Sequence, residues 1–282
     1  GYDYLSLGVP EGGAIVGGWA PFPATYIHDE LHARSLVLDD GASRLAIVVV
    51  DSLGVPRYVL DRARHLATEH TGIPAERILI SATHTHSATS ALGDRWSPAD
   101  YDLAPTLDAY QAFLASRIAD GIRQAVANLQ PAQIAWGRAT LADEVFNRRW
   151  FMQPGPHLGN PFGGMDRVQM NPGVGSPHLI EPAGPTDPEI AFVAVRTPQG
   201  QPIAVLANYS LHYVGGVPQG HVSADYFGVF ARTLARLLGE DHAESRFVAM
   251  LSNGTSGDIN NVDVRGEQAR LAPYERMTRV AT

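Results

Sequence analysis

Two histidines stand two residues apart in the run Thr83-His84-Thr85-His86-Ser87, shortly after an apolar segment, Arg77–Ser81, with the composition of a buried strand. In extended backbone, residues i and i+2 point to the same side, so the imidazoles of His84 and His86 would face one site. Converging imidazole nitrogens are typical metal ligands, and a strand end holds them with little conformational freedom. The alternative explanation is a turn histidine beside an exposed one, which needs no metal.

A third histidine, His212, lies just beyond another apolar strand, in Asn208-Tyr209-Ser210-Leu211-His212-Tyr213. A single histidine in such a place is more often a hydrogen-bonded core group than a ligand. The end of a second sheet strand, however, would let His212 meet His84 across one edge of the sheet. The two histidines therefore indicate a metal site that distant parts of the chain build together.

A polar segment rich in small residues, Ser252–Asn261, follows a further predicted strand and contains Asn253, Gly257 and Asp258. Small residues of this kind let backbone N–H groups approach a ligand, and Asp258 could orient an imidazole or accept a proton. The segment is not a G-x-S-x-G nucleophile elbow, and it lacks the lysine of a phosphate-binding P-loop. Simple turns are the alternative explanation for its Asn-Gly and Ser-Gly pairs.

Two aspartates complete the set of candidate residues near the site. Asp225 stands in Val222-Ser223-Ala224-Asp225-Tyr226, where it would either contribute to the site or, with Ser223, cap the helix predicted to follow. Asp51 follows the predicted strand Leu45–Val50 and would emerge at the same sheet edge as the paired histidines.

Composition narrows the chemistry that is possible. The 282 residues are 45% hydrophobic and 18% charged, which is typical of a globular protein with one large core or two smaller ones. A formal net charge of -8, without any run of lysine or arginine, argues against nucleic acid as a partner. The absence of cysteine excludes thiolate ligands, a cysteine nucleophile and disulfides. With eleven histidines in the chain, imidazole is the leading candidate for a metal ligand.

The histidine run is expected to belong to a βαβ unit. Its parts are a strand at Leu45–Val50, a helix at Tyr58–Glu69 that ends near Gly72, and a strand at Arg77–Ser81. Crossovers of this kind make the two strands parallel, so their carboxyl ends meet at one edge, where open α/β sheets bind ligands.

The rest of the chain alternates helical and extended patterns. The predicted elements are a helix at 107–129, a strand at Gln133–Ala139, a hairpin of Ile190–Arg196 and Pro202–Asn208, a helix at Tyr226–Leu238, a strand at Arg246–Leu251 and a helical segment at Ala272–Thr282. An apolar stripe on the first of these helices comprises Tyr110, Phe113, Leu114, Ile118, Ile122 and Val126. Eight prolines between residues 141 and 189 predict an irregular segment, which is either a functional loop or a surface excursion. We therefore predict one α/β domain over residues 1–282, with a mixed, largely parallel sheet or sheets flanked by helices and a metal site at the carboxyl edges of the strands.

Taken together and in this order, these segments resemble the N-terminal catalytic domain of the neutral, non-lysosomal ceramidase family. The similarity runs over nearly the whole chain, and its most specific pieces are the His-Thr-His-Ser run and the ordered series of later motifs. The matching pieces are Gly18-Trp19-Ala20, Ala33–Val37, Thr83–Ser87, Asn147-Arg148, Asp187-Pro188-Glu189, the strand before His212, Ser223-Ala224-Asp225 and Gly257-Asp258.

The resemblance implies a zinc ion held by His84 and His212. It also implies that His86 and Arg148 contact the substrate and polarise the reacting amide, and it places Gly18 near the site. The reaction would be metal-assisted hydrolysis of an N-acyl bond, in which zinc lowers the pKa of its bound water and hydroxide attacks the acyl carbon. Arg148 or His86 would stabilise the developing oxyanion.

The family's remaining zinc ligands, a glutamate and a tyrosine, lie farther along than Thr282. We therefore expect them in a continuation of the chain or in a second chain, or replaced by Asp51 or Asp258. Asn260 stands where the family has a serine proposed as a nucleophile, and because an amide side chain cannot attack, the zinc-hydroxide route is favoured. This difference leaves open a substrate other than ceramide, such as another amide, an ester, a lactone or a glycoside.

The alternative from another class of function is a fold without catalysis that binds a lipid or a glycan. Each of these functions involves a small-molecule or lipid-like partner, and a homo-oligomer is compatible with all of them. We expect no transmembrane segment, because the longest apolar run, around Leu45–Val50, is too short to cross a bilayer and no leader precedes it. The residues alone leave open whether the protein is cytoplasmic or has had a leader removed, and the resemblance favours a secreted or periplasmic location.

Overall fold

A computed structural model describes residues 2–7, 14–15, 22–89, 91–92 and 106–282. Gly18, which the resemblance places near the site, lies outside the described residues, as do Trp19 and Ala20. Within the described ranges, no helix is long and apolar enough to cross a membrane.

The described part of the chain contains seventeen strands in six sheets. In chain order the strands are β1 (Tyr2–Leu7), β2 (Ala14–Ile15), β3 (Phe22–Pro23), β4 (Tyr26–Ile27), β5 (Leu31–Asp39), β6 (Arg44–Val50), β7 (Ile78–Ala82), β8 (Gln133–Thr140), β9 (Phe146–Asn147), β10 (Arg149–Met152), β11 (Val168–Met170), β12 (Leu179–Pro182), β13 (Glu189–Arg196), β14 (Pro202–Tyr209), β15 (His221–Val222), β16 (Val248–Asn253) and β17 (Ile259–Asn260).

Four α-helices accompany these strands. They are α1 (Arg57–Thr71), α2 (Ala109–Ala127), α3 (Asp225–Leu237) and α4 (Pro273–Ala281), and short 3-10 helices lie at Ala75–Arg77 and Pro156–Leu158. Helix α1 ends where the sequence predicts, because Gly72 adopts the left-handed conformation, with φ of 71°, that closes many helices. On α2, most of the predicted stripe is buried or half-buried, but Phe113 is exposed and does not belong to the core.

The first large sheet has the strand order β1-β5-β6-β7. Strands β1, β5 and β6 pair antiparallel, whereas β6 and β7 pair parallel across the α1 crossover. The predicted βαβ unit is therefore confirmed, and its two carboxyl ends lie side by side. One measure of this is that the amide of His84, just past β7, donates to the carbonyl of Ser52, just past β6, at 2.9 Å.

The second large sheet has the order β16-β14-β13-β8. The predicted hairpin of β13 and β14 is confirmed, with its turn closed by the amide of Thr197 donating to the carbonyl of Gln201 at 2.8 Å. Strand β8 extends the sheet antiparallel to β13, while β14 and β16 run parallel across the α3 crossover. Strands β14 and β16 thus deliver residues 210–212 and 254–258 to one edge.

The prediction of largely parallel sheets is wrong. Each large sheet contains one parallel pair and two antiparallel pairs. Two of the antiparallel pairs follow from short turns at 40–43 and 197–201, which join neighbouring strands as hairpins, whereas the parallel pairs are joined by longer crossovers that carry α1 and α3. The sheets are mixed, and both carry their parallel pair where candidate residues emerge.

The two large sheets pack face to face, and helices pack on their outer faces, while the edge strand β8 of the second sheet is exposed. Between the sheets lie apolar side chains from both, including Leu36, Val49, Ala204, Val248 and Met250. Helices α1 and α2 pack on the other face of the first sheet, and α3 and α4 pack on the other face of the second. The layers therefore run helices, sheet, sheet, helices, which buries apolar residues on both faces of each sheet.

The proline-rich segment from 141 to 189 is more regular than predicted. Its middle forms a three-stranded antiparallel sheet in the order β11-β10-β12, and β9 pairs with β17. The prolines are compatible with this sheet because Pro182 is the last residue of an edge strand, where no ladder donor is needed. The segment brings Arg148 to the strand edge that carries the histidines.

Candidate metal centre

Three imidazoles converge at the carboxyl ends of β7 and β14. His84 and His86 follow β7, His212 follows β14, and one ring nitrogen from each lies within 4.8 Å of the others. The ring centroids are 4.9 Å apart for His84 and His86, 5.2 Å for His84 and His212, and 5.0 Å for His86 and His212. Two stretches of chain that are 126 residues apart thus bring nitrogen donors to one point.

The backbone at His84 differs from the extended geometry that the spacing argument assumed. Strand β7 ends at Ala82, and His84 has φ of 64°, a left-handed conformation that is uncommon for a residue other than glycine. The rings of His84 and His86 nevertheless meet, because the chain turns at this point instead of continuing as a strand. Backbone strain of this kind persists only where surrounding contacts hold it.

One of these contacts also fixes the proton of His84. Its Nδ1 lies 2.6 Å from the carbonyl oxygen of Leu53, which can only accept a hydrogen bond. Nδ1 therefore carries the hydrogen, and the lone pair of Nε2 remains available. A backbone carbonyl that orients an imidazole in this way is the usual partner of a metal-binding histidine.

His86 and His212 already interact with each other. Their Nε2 atoms are 3.0 Å apart, and Nδ1 of His212 lies 3.3 Å from Nη1 of Arg148. Because a guanidinium only donates, we infer that Nδ1 of His212 accepts and that its Nε2–H donates to His86. A metal ion at Nε2 of His212 would therefore require this proton to leave Nε2, which would break the hydrogen bond to His86.

The electrostatics of the cluster favour a neutral imidazole at His212. Burial, followed by the charges of His86, Arg148 and His84, lowers the pKa of His212 to about 3. A neutral ring keeps a lone pair for a metal near neutral pH, whereas a protonated ring cannot bind one. The donor set therefore fits a divalent ion such as zinc.

Arg148 reaches the cluster from the segment between β9 and β10. Its Nε donates to the carbonyl of Gly257 at 2.9 Å, and its amide donates to the carbonyl of Asp258 at 2.7 Å. Burial, followed by the charge of Arg149, lowers the pKa of Arg148 from its ordinary value. The loop after β16 thus holds a cationic side chain against the imidazoles.

The carboxylate of Asp258 does not orient an imidazole, as the sequence suggested it could. Its Oδ1 accepts from Nε of Arg149 at 2.7 Å on the protein surface, and both side chains are substantially exposed. Gly257 and Asp258 contribute to the site through their backbone carbonyls. Asn253 is also predicted near the site. Its Nδ2 donates to the carbonyl of Thr83 at 3.2 Å and so contacts the backbone of the histidine run.

Asp51 lies in the core. Its Oδ2 accepts from Nη1 of Arg34 at 2.7 Å and from the amide of His32 at 3.0 Å, and its side chain is fully buried. Burial raises the pKa of Asp51, although the neighbouring Arg34 opposes the shift. Among the described residues, the group of donors close enough to share an ion contains three histidines and neither Asp51 nor Asp258.

Asp225 is close to the histidine run but faces its inner side. The carboxylate is fully buried and accepts hydrogen bonds from the hydroxyls of Thr85 and Ser87. Burial raises its pKa to about 6, and the hydrogen bonds from these hydroxyls and from the backbone of His86 oppose that shift. Asp225 therefore does not act as a side-chain cap of α3, and Ser223 accepts from the first helical amide instead.

Sequence reasoning missed the groups that hold the histidines. Thr83, Thr85 and Ser87 alternate with His84 and His86 and are buried, whereas the histidines between them are half-buried. That alternation of hydroxyl and imidazole residues is visible in the sequence and could have indicated an anchored inner face. The carbonyl of Leu53 carries no such signal, because any residue type supplies one.

Comparisons with known proteins agree with this architecture. A family model described as neutral/alkaline non-lysosomal ceramidase, N-terminal, matches residues 18–270. A neutral ceramidase from Pseudomonas aeruginosa has a similar fold, with a TM-score of 0.71 and 19% identity over 100% of this chain and 42% of that chain. A ceramidase complexed with C2 is similar with a TM-score of 0.67 and 20% identity, over 93% of this chain and 38% of that chain. This chain thus spans less than half the length of either structure.

Proposed function

Since this chain belongs to the neutral/alkaline non-lysosomal ceramidase family, we propose that it is the metal-binding part of a zinc-dependent hydrolase. The observation that supports this most directly is the convergence of three imidazoles beside a guanidinium at the carboxyl ends of two strands. A core histidine that only fills space needs one hydrogen-bond partner, whereas converging lone pairs are what a metal ion requires.

His84 and His212 are the proposed zinc ligands. His84 is oriented for this role, because the Leu53 carbonyl takes up its Nδ1 proton and leaves Nε2 available. His212 is kept neutral by burial. A bound zinc ion would supply a Lewis acid and lower the pKa of a coordinated water towards neutrality.

Arg148 and His86 are proposed to act on the substrate. Arg148 is permanently charged and lies 3.3 Å from His212, so it can donate to a carbonyl oxygen on which negative charge develops. His86 is half-buried beside both ligands and can hold or transfer a proton to a leaving group. Both residues contact His212 and so lie beside a proposed ligand.

An N-acyl amide of a ceramide-like compound is the proposed substrate, on the grounds of family membership. Asn260, at the position of the family's serine, donates from Nδ2 to Asn171 at 3.4 Å and cannot act as a nucleophile. The proposal therefore uses water as the nucleophile. Esters, lactones and glycosides remain the substrates to compare, and a binding protein without activity is the rival from another class.

Metal analysis followed by a substrate comparison tests the proposal. We expect the purified protein to contain about one zinc per molecule and His84→Ala to lose it, with His65→Ala, an exposed histidine on α1, as the matched control. We expect N-acyl amides to be hydrolysed faster than the corresponding esters or glycosides. Protein without zinc, in which His84→Ala behaves like the parent, would leave only the non-catalytic function.

A further inference from the structure

The segment that carries two of the histidines has an inner and an outer face. Thr83, Thr85 and Ser87 are almost fully buried, while His84 and His86 point towards His212. The residues after Ala82 no longer belong to β7, so the contacts of the inner residues help to set where the outer ones lie.

A single buried carboxylate receives the donors of the inner face. Oδ2 of Asp225 accepts from Oγ1 of Thr85 at 2.7 Å, and Oδ1 accepts from Oγ of Ser87 at 3.1 Å. The backbone amide of His86 donates to the same carboxylate. Three consecutive residues of the histidine run are therefore bound to one side chain that lies 138 to 140 positions further along the chain.

Asp225 is itself placed with little freedom. Its amide donates to Oγ of Ser223 at 3.0 Å, and that hydroxyl donates to Asp29 at 2.6 Å in turn. Asp225 has φ of 48°, in the left-handed region, and a Cβ added at Gly215 would lie 2.7 Å from its Oδ1. The backbone of Ser223 adds a further link, because its amide donates to the carbonyl of Ser87 at 2.8 Å.

We propose that Asp225 is a positioning residue, whose carboxylate holds Thr85, His86 and Ser87 so that the imidazoles of His84 and His86 face His212. This inference rests on the proposed function, because the imidazoles that Asp225 positions are proposed to bind zinc or to act on the substrate beside it. A carboxylate is costly to bury without a cation, and hydrogen bonds from neutral donors offset part of that cost. Here those donors belong to the histidine run, so the buried charge constrains that run and not the general core.

Zinc affinity in Asp225 variants tests this role. We expect Asp225→Ala to weaken zinc binding by about 10- to 100-fold, measured by competition with a chromophoric chelator, which is the usual effect of losing a partner that orients a ligand. Asp225→Asn is expected to recover most of the affinity. Asparagine tolerates left-handed backbone, and the Thr85 hydroxyl can donate to the Ser223 carbonyl at 3.1 Å while it accepts from the new amide.

A second buried carboxylate provides the matched control. Glu144 is nearly fully buried and binds Arg276 and Arg279 of α4, away from the histidines. Glu144→Ala is expected to lower the melting temperature without changing the zinc affinity of the folded protein. If Asp225→Ala behaves in the same way, its role is structural and the proposal is overturned.

Hydrogen exchange in metal-free protein gives a readout that does not depend on zinc. We expect amides of residues 84–88 to exchange at least tenfold faster in Asp225→Ala than in the parent, with little change in Asp225→Asn. If Asp225→Ala does not fold, Thr85→Val replaces it in this experiment. This variant removes one donor at constant shape, and we expect it to accelerate exchange of the same amides to a smaller extent. Faster exchange in a protein that binds no zinc would refute the hydrolase function alone, and unchanged exchange would refute the positioning role.

Discussion

At the scale of single residues, the contacts of Arg148 separate two roles that an arginine beside a metal site can have. Its Nη1 lies 3.3 Å from Nδ1 of His212, and its Nε donates to Gly257. A guanidinium can either hold the ligand imidazole in place or stabilise charge on a substrate. The first contact requires Nδ1 of His212 to be unprotonated, which is the wrong tautomer for an ion at Nε2. Zinc and this contact therefore compete.

We predict that Arg148→Ala reduces kcat by about 10²- to 10³-fold while zinc binds as tightly as in the parent, or tighter. The loss in turnover reflects the missing oxyanion donor, and the retained affinity reflects the freed Nδ1 of His212. Chelator competition and steady-state kinetics on an N-acyl amide measure the two effects. Arg149→Ala, which removes the neighbouring surface ion pair with Asp258, is the control and should change neither quantity by more than about threefold. If Arg148→Ala instead loses zinc and turnover together, the role of Arg148 is to hold the imidazole of His212 in place.

His86 offers a comparable decision between ligand and substrate contact. Its Nε2 is 3.0 Å from that of His212, which suits a hydrogen bond better than a shared ion. We therefore predict that His86→Ala lowers kcat at least 100-fold but weakens zinc binding less than tenfold, whereas His84→Ala abolishes stoichiometric zinc. Should His86→Ala lose zinc as completely as His84→Ala, the site is a three-histidine centre and Arg148 is left as the substrate-facing group.

At the scale of elements, the parts that sequence predicted well are those with local signals. Helix α1 has an apolar face and a glycine at its end, and the β13–β14 hairpin has polar turn residues between two apolar runs, so both could be placed to within two residues. The meeting of His84 and His212 also followed from a local argument about strand ends. The antiparallel pairing of β1 with β5 and of β8 with β13 did not, because the partners of strands that are distant in sequence are chosen by long-range packing.

The contacts that complete the site could not be predicted from the sequence, because they too join residues that are distant along the chain. Asp225 lies far from Thr85 in sequence, and its position before α3 predicts a cap as readily as an anchor. The sequence predicts an irregular segment from 141 to 189, and this is wrong for its middle, where a small sheet pairs Arg149–Met152 with two other strands. Local propensity in a proline-rich stretch carries no information about that pairing.

Helix α2 begins with a capping box that can be tested alone. The side chain of Asp108 accepts from the amide of Gln111 at 2.7 Å, and the side chain of Gln111 accepts from the amide of Asp108 at 3.1 Å. We predict that Asp108→Ala lowers the free energy of unfolding by about 1 kcal/mol, because it leaves an amide of the first turn without its partner. Urea denaturation monitored by circular dichroism measures the change. Ser116→Ala, on the exposed face of the same helix, should alter stability by less than about 0.5 kcal/mol, and an equal loss in both variants would contradict the capping argument.

At the scale of the whole molecule, the order of layers explains why the site lies at an edge. Helices pack on both outer faces and the sheets pack on each other, so the strand ends are where polar side chains from both sheets can converge. Family members share this arrangement, with a TM-score of 0.71 at only 19% identity. The layers therefore tolerate extensive substitution, and we infer that the edge carries most of what is specific to this protein's chemistry.

Burial of His32 makes the free energy of unfolding of the whole molecule depend on pH in the acid range. Burial, together with the charge of Arg34, lowers the pKa of His32 to about 4 from an ordinary 6.5. Between these values the unfolded chain binds more protons than the folded one, so the contribution is fully present above pH 6.5 and is lost as the pH falls towards 4. The shift corresponds to a loss of about 1–3 kcal/mol over that range. Asp225, whose pKa is raised to about 6, acts in the opposite sense, and only a comparison with a variant isolates His32.

We therefore predict that His32→Gln loses less stability than the parent between pH 6.5 and 4, by about 1–3 kcal/mol, because glutamine has no proton to gain on unfolding. Urea unfolding at both pH values, with a chelator present so that zinc release does not contribute, measures the difference. His70→Gln, which replaces an exposed histidine at the end of α1, should lose as much stability as the parent. If the parent, His32→Gln and His70→Gln all weaken equally on acidification, the buried environment of His32 does not hold it neutral, and other groups account for the acid sensitivity of the fold.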